Sequence, residues 1–210
     1  MTADVSAVYL RDGATGRPVR AELWDGIGAQ HLTDWAQAWR PALRESLQKL
    51  QNRGVPLSGL PQNRHWDWPR KVAYVDGLLG ARTFCVVASG MTQGLMTVDL
   101  TRDARLDDQR GKPLVYVDFV EAAPWNRRDL AGSIRFRGVG TVLLTAAIDL
   151  SLAEGFKGRI GLHSLPQAED FYRDRCGMSE LQPDPAYEGL RYFEMTTAQA
   201  QAFLNHEDKQ

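Results

Sequence analysis

Cysteine is nearly missing from this chain: Cys85 and Cys176 are the two in 210 residues, and they stand far apart. Such usage fits neither a disulfide framework nor a set of metal ligands, so no metal is expected, and a cytoplasmic protein is the simplest expectation. An excess of charge of either sign is missing as well. Lys and Arg number 25 against 26 Asp and Glu, a formal net charge of −1. Nucleic acid is therefore not an expected partner, because binding to phosphates favours a basic surface. No apolar run approaches the length that crosses a bilayer, so no membrane association is expected. Met1-Thr2-Ala3-Asp4 has neither the charged nor the apolar region of a signal peptide. Repeats and low-complexity tracts are absent too. What is present is a 43% hydrophobic content, which over this length fills one full domain and falls short of two.

The apolar pattern switches between strand and helix periods along the chain. Val5 to Leu10 reads as a strand, Asp12-Gly13 and Gly16 as a turn, and Pro18 to Trp24 as a second extended piece. From Thr33 the spacing of Trp35, Trp39, Leu43, Leu47 and Leu50 predicts a helix, kinked at Pro41 or restarted there. Asn52 to Arg64 holds Gly54, Pro56, Gly59 and Pro61 and is expected to be a loop. Asp67 is placed to cap a helix from Trp68 to Leu79 that Gly80 ends. Thr83 to Ala88 and Gly94 to Leu100 flank Ser89-Gly90 as a hairpin, and the charged run Thr101 to Pro113 is expected to be a solvated loop. Leu114 to Ala122 is almost continuously apolar, which places it centrally in a sheet. A polar loop, Pro124 to Phe136, leads to the clearest helix, Gly138 to Glu154, which Gly155 ends. A short strand (Gly158 to Ser164), a short helix (Pro166 to Arg175), a closing strand (Leu190 to Thr196) and a final helix (Thr197 to Leu204) complete the chain. This order indicates a mixed α/β domain around one central sheet.

Arg135-Phe136-Arg137-Gly138-Val139-Gly140-Thr141, at the mouth of the clearest helix, carries the strongest chemical signal. Two glycines one residue apart let the backbone come close to a ligand. A helix starting there adds unpaired N–H donors and the positive end of its dipole. Arg135 and Arg137 add guanidinium groups suited to phosphate oxygens. A phosphorylated cofactor is the expected occupant. A dinucleotide fold would want a third glycine where Leu143 stands, and a triphosphate loop would want Gly-Lys-Ser/Thr, so neither of those nucleotide motifs applies. The alternative is that the glycines serve only close packing of helix on sheet.

Arg135-x-x-Gly138-x-Gly140 resembles the Arg/Gln-x-x-Gly-x-Gly/Ala signature of the GNAT family of N-acetyltransferases. Ala168-Glu169-Asp170-Phe171-Tyr172-Arg173-Asp174-Arg175-Cys176-Gly177-Met178 is similar to the family's Ala-x-x-x-Tyr-x-x-x-Gly-Phe segment. The resemblance is specific from Leu114 to Met178, loose before Thr83, and extends to a poorly characterised bacterial branch. It implies a single GNAT domain over residues 1–210: acceptor-side elements in 1–82, a cofactor-binding core in 83–178, and a closing strand and helix in 179–210. The implied fold is α/β of the α+β type, a mostly antiparallel twisted sheet of six to seven strands, splayed at its centre and flanked by about four to five helices. The implied co-substrate is acetyl-CoA. Arg135, Arg137, Gly138, Val139, Gly140 and Thr141 would hold its pyrophosphate, and backbone groups of Val120, Glu121 and Ala122 its pantetheine arm. A bulge beside Ala122-Ala123-Pro124 would free those groups. Arg127 and Arg128 are read as a solvated loop or as partners of the 3′-phosphate. The chain departs from the family pattern in its long link from Pro124 to Ile134 and in Leu165, where many members carry Asn.

Acetyl transfer from the thioester to an amine needs a base, a stabilised oxyanion and a proton for the leaving thiolate. Tyr172 matches the family's thiolate-protonating tyrosine. Glu121, at the end of the central strand, is the first candidate base. His163 is the second, with a side chain whose ordinary pKa suits proton transfer near neutrality. Asp118 lies further up the same strand as a further carboxylate for base or substrate contact. Trp66 and Trp68 are candidates for an amphipathic acceptor pocket, or for plain packing with Asp67 as a helix cap. The resulting expectation is an acyl-CoA-dependent N-acyltransferase acting on a small-molecule or peptide amine. The alternatives are a non-catalytic acyl-CoA-binding sensor or interaction module, and a tRNA-acetylating toxin. A homodimer is the base-rate expectation for assembly.

Overall fold

Alternating side chains and a tight turn form the first hairpin. β1 (Val5–Asp12) and β2 (Pro18–Asp25) pair antiparallel from Val5↔Trp24 to Arg11↔Pro18. The Asp12 carboxylate closes the turn by accepting from the Ala14 and Thr15 amides. The computed structural model describes residues 4–207; Met1-Thr2-Ala3, where a leader was sought, lies outside the described residues.

The tryptophan stripe forms one helical run without a break at Pro41. α1 (Ala29–Asp34) passes through a wide π turn (Trp35–Trp39) into α2 (Arg40–Asn52). The Arg40 amide bonds the Trp35 carbonyl five residues back. Pro41, next in line, has no N–H to give, and a wider turn accommodates its ring. Trp35 and Trp39 are buried, and the Trp39 indole donates to the Thr92 carbonyl at 2.9 Å. After two short 3-10 turns (Leu57–Gly59 and Gln62–His65), α3 (Trp68–Val75) begins at Asp67, whose carboxylate caps the Arg70 amide at 3.1 Å. This helix stops earlier than its expected end at Leu79.

β3 (Ala81–Ala88) and β4 (Met91–Asp103) flank Ser89-Gly90, both at positive φ as a two-residue hairpin turn demands. β4 extends into the run expected to be loop. β5 (Pro113–Ala122) follows, buried through Leu114, Val115, Tyr116 and Val117. A two-residue strand, β6 (Phe136–Arg137), pairs with β1 through Arg11↔Arg137 and Asp12↔Phe136. α4 (Val139–Ala153) is apolar on nearly every side and buries Leu143, Leu144, Ala147 and Ile148. β7 (Ile160–Ser164) runs parallel to β5 over Val115↔Ile160 to Val117↔Leu162. The ladder ends there, while β5 continues to Ala122 and β7 to Ser164. β8 (Ser179–Asp184), β9 (Leu190–Met195) and α5 (Thr197–Glu207) close the chain.

Among the described residues the result is a mixed, mostly antiparallel sheet in the order β6-β1-β2-β3-β4-β5-β7-β9-β8, with five α-helices. Nine strands exceed the expected six to seven. The additional β6 is two residues inside a polar link, and β8 carries Pro183 at a register shift, so neither has an apolar alternation to read. The segment Pro166 to Arg175, expected as one short helix, is a 3-10 turn (Pro166–Ala168) followed by a π turn (Phe171–Arg175). Two compact units emerge: residues 4–76, 82–97 and 120–143 form the first, and 77–81, 98–119 and 144–207 the second. Among the described residues no helix is long and apolar enough to cross a membrane.

Candidate active site

The arginine–glycine loop of the first unit is tied down on both sides. β6 pins the loop to β1, the Gly13 amide donates to the Arg135 carbonyl at 2.8 Å, and Asn126 Oδ1 accepts from the Phe136 amide at 2.9 Å. Phe136 is buried, whereas Arg135 and Arg137 are exposed. Gly138 sits at φ +94°, a conformation that glycine adopts without a steric cost. The first backbone bond of α4 runs from the Val142 amide to the Gly138 carbonyl, so helix geometry leaves the Val139, Gly140 and Thr141 amides without intrahelical acceptors. Close approach of α4 to β4 depends on Gly94: a Cβ there would stand 2.5 Å from Val139 Cγ1 and 3.0 Å from Leu143 Cδ1. These donors, two exposed guanidinium groups and a helix N-terminus suit a pyrophosphate.

At the end of β5 the same unit buries a carboxylate. The Glu121 side chain is 7% exposed. The Asn63 amide donates to its Oε1 and the Trp68 indole N–H to its Oε2, each at 2.6 Å. Arg127 Nη1 stands 3.4 Å from Oε1. Arg127 gives its better contacts to Asp129, with Nε 3.2 Å from Oδ1 and Nη2 2.6 Å from Oδ2. Burial pushes the Glu121 carboxyl up to about 7, against the opposing pull of the Trp68 bond, the Arg127 and Lys71 charges and the Asn63 bond. Trp68 is fully buried; Trp66 is half-buried, edge-on to Trp68, with Lys71 Nζ 4.5 Å from its ring centre. Val120 and Ala122 flank Glu121 on the strand, and beyond them the Ala123 amide donates to the Gln93 carbonyl at 2.9 Å. Arg127 is 10% exposed and held in ion pairs, so it is no solvated loop residue, whereas Arg128 is exposed.

The other candidates lie in the second unit. Tyr172, on the π turn Phe171–Arg175, is buried beside Phe171 and Phe193, and burial pushes its phenol above the ordinary tyrosine value. The His163 ring is saturated: Nδ1 lies 2.6 Å from Tyr116 Oη and Nε2 lies 3.1 Å from Asp184 Oδ2, and the ring stacks on Tyr187 at 3.7 Å. The Arg105 bond holds the Asp184 carboxyl down at about 2, with help from the Ala186 amide and His163. An ionised Asp184 only accepts, so the neutral imidazole carries its proton on Nε2 and Nδ1 accepts from Tyr116. Burial lowers the His163 pKa, opposed by the Asp184 bond. Asp118 is half-buried, and its charge acts on Tyr116 and Arg102.

Asn63, Asp129, Tyr116 and Asp184 were not among the sequence candidates. Asn63 contacts Glu121 from 58 residues away, out of a stretch that reads only as Gly/Pro loop. The five residues Glu121, Asn63, Trp68, Arg127 and Asp129 do come together, while the sequence pointed to Glu121 and Trp68 and named Arg127 only for a different contact.

No family model matches the chain, and no curated protein sequence matches it. Solved structures do. The GNAT domain of S. lividans PAT aligns with a TM-score of 0.52 at 14% identity, covering 91% of this chain and 96% of that one. The PaiA N-acetyltransferase of Thermoplasma acidophilum, solved in complex with coenzyme A, aligns at 0.51 and 10% identity, covering 84% and 98%. The chain therefore has the GNAT fold.

Proposed function

We propose that this chain is a GNAT-family, acyl-CoA-dependent N-acyltransferase that moves acetyl from acetyl-CoA directly to a primary amine of a small molecule or peptide. The observation that carries this reading is the exposed pair Arg135 and Arg137 beside the Val139, Gly140 and Thr141 amides, which lack intrahelical acceptors at the start of α4, in a fold shared with a coenzyme A complex. These residues would hold the pyrophosphate, and the free end of β5 from Val120 to Ala122 would hold the pantetheine arm.

In the proposed reaction the amine nitrogen attacks the thioester carbonyl, a C–N bond forms and the C–S bond breaks. Glu121 takes the amine proton, through water, because both of its oxygens already accept bonds. Its carboxyl, raised to about 7, is basic enough for that task near neutral pH. Tyr172, assigned by its place in the Ala168-to-Met178 segment, gives its phenolic proton to the departing thiolate. Its raised pKa keeps the phenol protonated before transfer. His163 is not assigned as base, since both ring nitrogens are engaged.

Calorimetric titration with acetyl-CoA tests the reading, with an Arg135→Ala/Arg137→Ala double variant as control. Charge-assisted bonds contribute about 1.5–3 kcal/mol each, so the double variant is expected to bind about tenfold or more weakly. Release of free thiol with a panel of amines then establishes turnover. Binding without thiol release would favour the sensor reading, and no binding by the parent would overturn the proposal.

A further inference from the structure

The Glu121 cluster contains one more residue whose placement has a chemical consequence. A guanidinium forks bidentately onto a carboxylate when it can. Arg127 does so, but onto Asp129, through Nε and Nη2 at 3.2 and 2.6 Å. What remains for Glu121 is Nη1 at 3.4 Å. The two short bonds to Glu121 come from uncharged donors, Asn63 and Trp68. The charged groups facing the carboxylate are Lys71 from α3 and Arg127 from the loop after β5, with Asp129 behind Arg127.

We propose that Asp129 is a positioning residue that keeps Glu121 basic by drawing the Arg127 guanidinium away from it. Neutral donors orient a carboxylate without binding it as tightly in its ionised form as a bidentate guanidinium would. With Asp129 in place, Glu121 can both take up and give back a proton near neutral pH. Without Asp129, Arg127 is free to close on Glu121 and hold it ionised. The side chain of Asp129 is 34% exposed, so its replacement leaves the core intact. The proposal rests on the reading of Glu121 as the base.

The test has two readouts. The first is the titration of the Glu121 carboxyl by 13C NMR on side-chain-labelled protein, assigned by the signal lost in Glu121→Gln; it needs no turnover. The second is the acid limb of the pH profile of kcat/KM. In Asp129→Asn both are expected to move down by about one pH unit, the low end of what a nearby opposite charge does. Asp129→Glu, which restores the fork, is expected to return both towards the parent, and Arg127→Gln to move the titration up. A Glu121 titration that stays in place or rises in Asp129→Asn overturns the proposal. A titration that moves while the activity limb stays put overturns instead the reading of Glu121 as the base, and so separates the two failures.

Discussion

Each compact unit buries a carboxylate in a hydrogen-bonded cluster, and the two clusters are built to opposite effect. Glu194 of the second unit is fully buried and accepts from the Arg105 and Leu106 amides, the Gln109 side chain and the Tyr192 hydroxyl. Beside it, Arg105 bonds Asp184, and Asp184 fixes His163. There the Arg105 bond holds Asp184 at about 2, and burial pushes His163 below its ordinary value. Glu121 of the first unit is nearly as buried and has two short bonds, both from neutral groups, and the guanidinium beside it is shared with Asp129. Burial then dominates and the carboxyl rises to about 7. The Asp184–His163 pair of the second unit is thus locked away from neutrality, while Glu121 of the first unit is brought to it. A charged partner, Arg105, marks the first case and neutral short-range donors mark the second.

The largest expected effect tests the exchanging cluster. Glu121→Gln keeps the shape and removes the proposed base, and general base catalysis contributes about 10²–10⁴-fold. Turnover is expected to fall within that range, while the calorimetric affinity for acetyl-CoA stays near the parent's. Tyr172→Phe is expected to lower turnover with the same unchanged affinity, by less, because water can protonate a thiolate. His163→Gln, in the locked cluster, is expected to leave turnover within a few-fold in protein that remains folded. A His163 variant that loses as much turnover as Glu121→Gln would erase the contrast.

The next effect concerns the packing that holds the phosphate loop. Gly94→Val places new atoms against Val139 and Leu143, at the first two turns of α4. Overpacking of this kind costs about 1–3 kcal/mol. The urea midpoint is expected to drop accordingly, and acetyl-CoA affinity to drop with it because Val139, Gly140 and Thr141 are displaced together. Gly94→Ala is expected to do the same to a smaller extent. Lost stability with unchanged affinity would detach this contact from the cofactor site.

The two clusters also differ in how much of them the sequence discloses. The proposed cofactor loop is local: Arg135 to Thr141 are consecutive, and their spacing alone points to an anion site at a helix start. Tyr172 is reached through a second contiguous motif. Glu121 could be singled out because it ends the most apolar strand. Its partners could not, since Asn63 and Asp129 sit in polar stretches and become significant only when folding brings them to one carboxylate. Strands β6 and β8 escaped for a related reason. A two-residue strand and a proline-bearing edge strand are held by partners, not by their own alternation. The run from Thr101 to Pro113 looked like solvated loop because of its charges, yet β4 extends to Asp103, where Asp99 bonds Thr101 and Arg102 along the strand.

The smallest expected effect is a pair of opposing slopes in stability against pH. The folded-state pKa of Glu121 lies above the ordinary carboxylate value of 4.5, at about 7. Between those pH values the folded state binds more protons than the unfolded one, so this group makes stability fall as pH rises through the window. The folded-state pKa of His163 lies below its ordinary 6.5. Below pH 6.5 the unfolded state binds more protons at this site, so His163 makes stability fall as pH drops, until the folded pKa is passed. Each slope is at most about 1.4 kcal/mol per pH unit, and in the parent the two oppose each other from pH 6.5 down to the folded-state pKa of His163. Urea midpoints measured across that range are therefore expected to change little in the parent. Glu121→Gln is expected to unmask a midpoint that rises with pH, and His163→Gln one that falls. Identical slopes in the two variants would show that the clusters do not differ in the sense argued from their donors.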